Sequence, residues 1–268
     1  MHVAVAGVAE ENHARAEAAL TRGAERLLAL QNDDGSWGKP PMIGITALCV
    51  IALHDAPGID VGKRDATIDA GIESLLDDLD EDGTTETLFG LRSQPAFWKK
   101  TPRYATYSIA VTLLAMATVD KPEHIPLIKR GRAYLRTLQR VNHNSKHHGG
   151  FGYGGGGRSA NLSITAWSAE AMYHTDYVEG DVQGADPTVT AQNEEMWASI
   201  EAFLEATQKN PGADQDAADD SDAGGLGYKP SKNPSKVVVT GAMSYSGYKT
   251  MLYAKLSPDD VRVLAVWI

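Results

Sequence analysis

The sequence predicts an all-α protein built of about four consecutive helical hairpins followed by the start of a fifth. Three observations support this prediction. Amphipathic segments recur in which a glycine precedes a glutamine by eight residues, each such segment runs into a turn broken by glycine, and each turn leads into an apolar segment nearly free of charge. Alternating amphipathic and apolar helices are typical of a repeat protein with an outer and an inner helical layer.

The outer helices are predicted from the spacing of the glycine and the glutamine. RGAERLLALQ contains Gly23 and Gln31, and RGRAYLRTLQ repeats the spacing with Gly131 and Gln139. The residues between them place apolar side chains at helical intervals, which predicts one buried face. Two weaker copies, AGIESLLDDL and SIEAFLEATQ, complete a set of four outer helices.

The turns combine glycine with one large apolar side chain. The first turn, DDGSWG, carries Trp37, and GGFGY at residues 149–153 is echoed by GGLGY at residues 224–228. Glycine permits positive φ in such a turn, so the apolar side chain can fold back onto the helix end. The sequence therefore predicts tight turns that close each hairpin.

The inner helices are predicted in four apolar segments: ITALCVIAL, ATYSIAVTLLAM, ITAWSAEAMY and MSYSGYKTMLYA. Small and apolar side chains all round these segments indicate burial on most sides. A hydroxyl residue lies near the start of each one, at Thr46, Thr106, Thr165 and Ser244. We expect these hydroxyl groups to cap free backbone N–H groups.

The segment RGAERLLALQNDDGSWG, together with the FGY and LGY turns and the MSYSG helix start, resembles the QW-type repeat of the squalene/hopene cyclase and protein prenyltransferase superfamily. The resemblance covers the chain from about residue 15 onwards and is most specific in the first and third copies. It implies an α/α toroid, here an incomplete α/α barrel. It also implies that Trp37 packs on Gln31 and fastens one hairpin to the next, which is a structural role.

The same repeat frame divides the chain into a flexible N-terminus, residues 1–14, and one repeat domain, residues 15–268. In the last segment, SPDDVRVLAVWI, Trp267 and Ile268 match the beginning of a further outer helix. We therefore expect the repeat domain to be truncated at its C-terminus. An uncapped end of a repeat stack exposes apolar surface, so self-association through this open end is also expected.

Composition and charge exclude several classes of protein. The formal net charge of −10 argues against a nucleic-acid-binding protein, because neutralising phosphates needs a clustered basic surface. No apolar run reaches the roughly 18 to 20 residues of a membrane span, so no transmembrane segment is predicted. The sequence indicates a soluble chain and leaves open whether it is cytoplasmic or exported.

The catalytic motifs of the superfamily that the chain resembles are not found in this sequence. Its class II terpene cyclases carry an aspartate motif at the head of an inner helix, where this chain has GITA, YATY and SITA. Its protein prenyltransferases bind zinc through aspartate, cysteine and histidine, whereas Cys49 is the single cysteine here. His143, His147 and His148 lie in a glycine-bounded loop that is more typical of a solvated segment than of a zinc site. We predict no cofactor and no metal.

Among the four predicted inner helices, the only acidic side chain is that of Glu170. This position makes it the candidate for a catalytic acid. A hydrogen bond to a neighbouring helix is the alternative role, because buried polar groups are usually hydrogen-bonded.

Basic residues precede every inner helix. Cations are unfavourable near helix N-termini, so their recurrence in an acidic chain suggests an anion site. In a toroid all inner helices begin at one end of the barrel, which predicts a basic mouth for a phosphate or diphosphate above an aromatic cavity. The basic residues are Lys39, Lys99, Lys100, Arg103, Arg158, Lys232 and Lys236. The candidate substrate-binding residues are Lys99, Lys100, Arg103, Tyr107, Arg158, Trp167 and Tyr245, and Trp98 is a further aromatic candidate for the cavity wall.

Three hypotheses for function remain open at this point. The first is a prenyltransferase- or terpene-cyclase-like protein that binds an isoprenoid in its barrel, and the second is a non-catalytic toroid that acts as a protein-interaction scaffold. The third is an enzyme of another class on the same barrel, such as a polysaccharide lyase, which needs a cleft of arginines and carboxylates. The sequence does not decide whether the protein is an enzyme.

Overall fold

The computed structural model describes residues 10–39, 42–76, 104–154, 158–179, 186–210 and 222–266. Within these residues the fold is all-α, as predicted, and no strand is present. The helices are α1 (Glu10–Leu30), α2 (Ile43–His54), α3 (Val61–Leu76), α4 (Ala105–Val119), α5 (Ile125–Thr137), α6 (Leu162–His174), α7 (Pro187–Thr207), α8 (Gly241–Tyr253) and α9 (Val261–Ala265). Helix α1 begins at Glu10, so part of the segment expected to be a flexible N-terminus is helical.

The helices form two layers. The inner helices α2, α4, α6 and α8 pack side by side in chain order, and the outer helices α3 and α5 pack on α2 and α4. Amphipathic outer helices cover apolar inner ones because this arrangement removes the inner helices from water on most sides. Consecutive packing of inner helices agrees with the predicted hairpin repeat, and closure into a complete toroid stays a prediction.

In three of the repeats, the glutamine joins the hairpin to the following outer helix. The side-chain amide of Gln31 donates to the carbonyl of Gly35 in its own turn and to Thr67 of α3, at 3.0 and 2.8 Å. Gln139 donates in the same way to Gly149 and Met196, and Gln208 to Gly224 and Arg262. One side chain thus satisfies a carbonyl group in its own turn and one in the next repeat.

The turn glycines allow close contact between neighbouring repeats. Gly35, Gly149 and Gly224 have φ angles of 80°, 78° and 79°, respectively. A β-carbon at any of them would overlap a backbone carbonyl of the next outer helix, at Ala70, Ser199 or Ala265, respectively. Only glycine meets both requirements, the positive φ and the absence of a side chain. Because α9 receives the same contacts as α3 and α7, it occupies the place of a fifth outer helix.

Trp37 is a packing residue of the first turn. Its side chain is 2% exposed, its indole N–H donates to the carbonyl of Leu27 at 2.9 Å, and its ring lies against Gly71 of α3. The indole therefore contacts both its own outer helix and the next one. Phe151 and Leu226 are fully buried at the equivalent positions of the later turns.

The hydroxyl groups near the inner-helix starts do not have the expected capping role. Thr46, Thr165 and Ser244 accept hydrogen bonds from the backbone N–H groups of Trp37, Phe151 and Leu226 in the preceding turns, at 2.9 to 3.0 Å. The side-chain caps of α6 and α8 are instead Asn161 and Thr240. The hydroxyl residues lie one turn too far into the helix to cap it, so they hold the turn. The hydroxyl of Thr106 has no hydrogen-bond partner within the described residues, and the turn before it lies outside them.

We expect Gln139→Ala to lower the free energy of unfolding by about 1–3 kcal/mol, because it leaves the carbonyl groups of Gly149 and Met196 without their shared donor. Gln139 is 9% exposed, so water does not replace the lost donor easily. Urea unfolding measures the change. Gln192→Ala, on the exposed face of α7, is the matched control and should change stability by less than about 0.5 kcal/mol. Equal effects of the two substitutions would contradict the proposed role of Gln139.

Candidate functional site

A cavity of about 330 Å³ lies between three inner helices. Its volume falls at the lower end of the roughly 300–1,000 Å³ range of small-molecule pockets. The lining residues are Leu48 and Ile51 of α2, Leu114, Ala117 and Thr118 of α4, and Trp167, Glu170 and His174 of α6.

The sequence positions of the lining residues explain why they meet. Most of them are separated within a helix by three, four or seven positions, which places them on one helical face, and Thr118 follows Ala117 directly at the edge of that face. The wall is mostly apolar. Its ionisable groups, Glu170 and His174, come from the C-terminal half of α6, and Thr118 of α4 adds one hydroxyl. The cavity is therefore an apolar space with one polar end.

Of two predicted aromatic site residues, Trp167 lines the cavity, and Tyr107 is not among the lining residues but contacts Trp167. Tyr107 and Trp167 contact each other edge to face, with ring centroids 5.8 Å apart. Tyr107 also approaches α2 at Gly44, where a β-carbon would lie 3.2 Å from the tyrosine ring. The glycine at this position lets the ring fit between adjacent inner helices. The structure thus brings Tyr107 and Trp167 together beside the cavity.

Glu170 forms the centre of the polar end. Its carboxylate accepts hydrogen bonds from the Lys249 ammonium at 2.8 Å and from the Tyr253 hydroxyl at 3.2 Å, both on α8. The Tyr253 hydroxyl also lies 3.5 Å from Nε2 of His174. The hydrogen bond to a neighbouring helix, which the sequence offered as the alternative role of Glu170, is confirmed. A carboxylate held by an ammonium group is poorly suited to act as a proton donor.

The pKa of Tyr253 is raised above its ordinary value. Burial is the main cause, and the neighbouring Glu170 carboxylate adds to it because a phenolate there would be repelled. The phenol therefore keeps its proton at neutral pH. It remains the donor in the hydrogen bond to Glu170.

Part of the predicted basic mouth falls outside the described residues. Lys99, Lys100, Arg103 and the aromatic candidate Trp98 lie within 77–103, whose structure is not described. Arg158, Lys39, Lys232 and Lys236 are exposed in the segments before the inner helices. Tyr245 is 69% exposed near the start of α8 and does not line the cavity.

The cavity lies towards the C-terminal ends of the inner helices, whereas the described cations precede the helix starts. At about 1.5 Å per residue, Glu170 is roughly 12 Å along α6 from its first residue, Leu162, and His174 is its last residue. The lining residues of α4 also belong to its C-terminal half. The described cations Lys39, Arg158, Lys232 and Lys236 therefore do not border this cavity. For Lys99, Lys100 and Arg103 the basic mouth stays a prediction.

The candidate metal ligands are not grouped in the part of the chain that the structure describes. Burial raises the pKa of the Cys49 thiol to about 11, which opposes the thiolate form that zinc needs. His143 and His148 contact each other with ring centroids 4.1 Å apart, while Nδ1 of His147 accepts from the backbone N–H of Ala160 at 3.0 Å. The described residues contain no group of three or more potential metal ligands.

Sequence reasoning missed the partners of Glu170. Lys249 and Tyr253 are four positions apart on α8, and Glu170 and His174 are four positions apart on α6. Two such pairs on neighbouring inner helices form a detectable pattern, because residues four apart share one helical face. The pattern alone does not identify the contact of Glu170 with Lys249 and Tyr253, because the sequence does not show which helix faces meet.

None of the described helices has the length and apolar character needed to span a membrane. A scan against protein-family models found no match, and a search of curated proteins found none either. Membership of the superfamily that the repeats resemble therefore stays a prediction.

Proposed function

We propose that this chain binds an apolar, isoprenoid-type molecule in the cavity between α2, α4 and α6. The observation that carries the proposal is the cavity itself, whose wall combines Leu48, Ile51 and Leu114 with the indole of Trp167. Moving an apolar chain from water to such a wall is favourable at about 25 cal/mol per Å² of apolar surface buried. The resemblance of the repeats to those of the squalene/hopene cyclase and protein prenyltransferase superfamily supports the same ligand class.

The proposal concerns binding and leaves the reaction open. Protonation of an alkene needs a strong acid in place, and the carboxylate at this cavity is paired with Lys249. The chain's own residues supply an apolar wall, an aromatic edge and one hydrogen-bonding end. These groups orient a long apolar molecule but do not by themselves define a chemical step.

The test fills the cavity without changing its polar end. Ala117→Phe on α4 inserts an aromatic ring into the cavity, and we expect it to weaken binding of farnesyl methyl ether, an uncharged isoprenoid probe, by at least about tenfold. Isothermal titration calorimetry measures the Kd. Ala133→Phe, on the exposed face of α5, is the matched control and should bind the probe as the wild type does.

A wild-type chain that does not bind the probe would contradict the proposal. So would an unchanged Kd in the Ala117→Phe protein, provided that the variant folds, which circular dichroism checks. Equal loss of binding in both phenylalanine variants would point to general destabilisation and also count against the cavity.

The alternative proposal is a protein-interaction scaffold. It is favoured by one observation, the apolar side chains that are exposed on the last two described helices. Tyr245 and Leu252 of α8 are 69% and 46% exposed, and Val261 and Leu264 of α9 are 55% and 51% exposed. Large apolar side chains exposed on neighbouring segments of the chain are candidates for a site of protein association. Failure of the cavity test would leave this scaffold role, including self-association, as the better proposal.

A further inference from the structure

The polar end of the cavity is built by two neighbouring inner helices. Glu170 and His174 of α6 line the cavity, and Lys249 and Tyr253 of α8 hold the Glu170 carboxylate from the other side. The side chain of Glu170 is 18% exposed. Its position is set by two hydrogen bonds, so the carboxylate is held in place at the end of an apolar space.

The carboxylate has hydrogen-bonding capacity that the protein does not use. An ionised carboxylate is an acceptor only and offers about four lone-pair sites. Glu170 accepts one hydrogen bond from Lys249 on one oxygen and one from Tyr253 on the other, which leaves acceptor capacity on both oxygens. A ligand group that donates a hydrogen bond satisfies this remaining capacity, whereas a group that only accepts does not.

Charge at this end of the cavity disfavours an anionic ligand. The Glu170 carboxylate and the Lys249 ammonium neutralise each other, and none of the described lining residues is a lysine or an arginine. The C-terminal ends of α2, α4 and α6 lie towards this end, and a helix C-terminus carries partial negative charge. Among the described residues that line the cavity, a diphosphate would meet a negative environment and no lysine or arginine.

A cationic head group is also poorly matched. The Lys249 ammonium already occupies Glu170 at 2.8 Å, so a second ammonium group would have to displace it or lie beside it. Like charges at such a separation repel each other. An uncharged donor avoids both costs.

We infer that Glu170, Lys249 and Tyr253 form a subsite for an uncharged hydroxyl head group, so that the cavity takes a prenyl alcohol in preference to a prenyl diphosphate. The ligand hydroxyl donates to the Glu170 carboxylate while its apolar chain lies against Leu48, Ile51 and Trp167. Tyr253 keeps the carboxylate oriented. This inference rests on the proposed binding of an isoprenoid in the same cavity.

The test compares head groups on one apolar tail. Farnesol, farnesyl methyl ether and farnesyl diphosphate are titrated into the full chain by calorimetry. We expect farnesol to bind about five- to tenfold more tightly than the ether, which has no hydroxyl donor, and at least about tenfold more tightly than the diphosphate. Tyr253→Phe and Glu170→Gln should each reduce the preference for farnesol over the ether, whereas Tyr177→Phe, an exposed tyrosine after α6, should leave it unchanged.

The outcomes separate this inference from the proposed function. If none of the three compounds binds, the proposed function fails and the head-group inference fails with it. If the ether and the alcohol bind equally, or the diphosphate binds best, the proposed function stands and the subsite is wrong. Binding of the ether by each variant shows whether the cavity is still intact. If the Tyr253→Phe and Glu170→Gln proteins bind the ether and still prefer farnesol as strongly as the wild type does, the inference is wrong.

Discussion

Gly149→Ala should destabilise the protein by about 3 kcal/mol or more. Gly149 has a φ angle of 78°, and a β-carbon there would overlap the carbonyl oxygen of Ser199 on α7. Backbone strain and overpacking each cost about 1–3 kcal/mol, and this substitution incurs both. To remove the overlap with Ser199, α7 must move away from the turn. This movement also breaks the hydrogen bond from Gln139 to Met196. Urea unfolding followed by circular dichroism measures the loss.

Gly23→Ala is the control for this experiment. Gly23 lies in the interior of α1, it is exposed, and a β-carbon there would meet nothing within 4 Å. Alanine should therefore stabilise the helix by about 0.5–1 kcal/mol. If both substitutions destabilise the protein to a similar extent, the close contact at Gly149 is not the cause of its effect, and the prediction is wrong.

Arg132→Met should lower the free energy of unfolding by about 3–5 kcal/mol. The Arg132 side chain is fully buried, and its guanidinium donates to Glu179 at 2.6 Å, to Thr175 at 2.8 Å and to the carbonyl of Met172. The substitution leaves Glu179 with Arg136 as its remaining partner at 2.8 Å and deprives the Thr175 hydroxyl and the Met172 carbonyl of their buried donor. Breaking a buried ion-pair network in this way is strongly destabilising. Thermal and urea unfolding of the two proteins measure the difference.

The pH dependence of stability provides a second measurement on the same pair. Burial alone would raise the pKa of Glu179, but its hydrogen bonds and ion pairs with Arg136 and Arg132 lower it below the ordinary 4.5. A carboxyl group with a lowered folded-state pKa contributes stability above its unfolded pKa and loses it as the pH falls through the folded one. The difference in free energy of unfolding between wild type and Arg132→Met should thus be largest at neutral pH and should decrease as the pH falls below 4.5.

Lys121→Met is the control for the buried pair. Lys121 contacts Asp69 at 2.8 Å, but both side chains are substantially exposed, so the loss should not exceed about 1 kcal/mol. An Arg132→Met protein as stable as the Lys121→Met protein would contradict the role assigned to the buried network. A difference that grows on acidification would contradict the sign of the Glu179 effect.

The repeats show how far a sequence pattern predicts packing. The positions of the glutamines and of the turn glycines predicted the hairpins. In three repeats the structure shows the same contacts for the glutamine and for the turn glycine. The partner carbonyls at Thr67, Met196 and Arg262 could not be predicted, because a backbone carbonyl looks the same whichever residue carries it. The hydroxyl pattern was recognised, yet its role was assigned to the wrong N–H groups.

The candidate site was predicted in part. Tyr107 and Trp167 were expected to line a common cavity, and they contact each other beside it. Glu170 was singled out, but Lys249 and Tyr253, its partners 79 and 83 positions away in the chain, were not. The expected cations precede the inner helices, whereas the cavity lies towards the helix C-termini.

The sequence by itself determined the all-α class, the order of outer and inner helices and the positions of the turns. These properties depend on local rules, since helical periodicity and positive φ at glycine act over a few residues. Only the tertiary structure decided which helix faces meet, which residues line the cavity and that the carboxylate of Glu170 is paired with Lys249. Those properties depend on the rotation of each helix against its neighbours, which is set by packing between residues far apart in the chain.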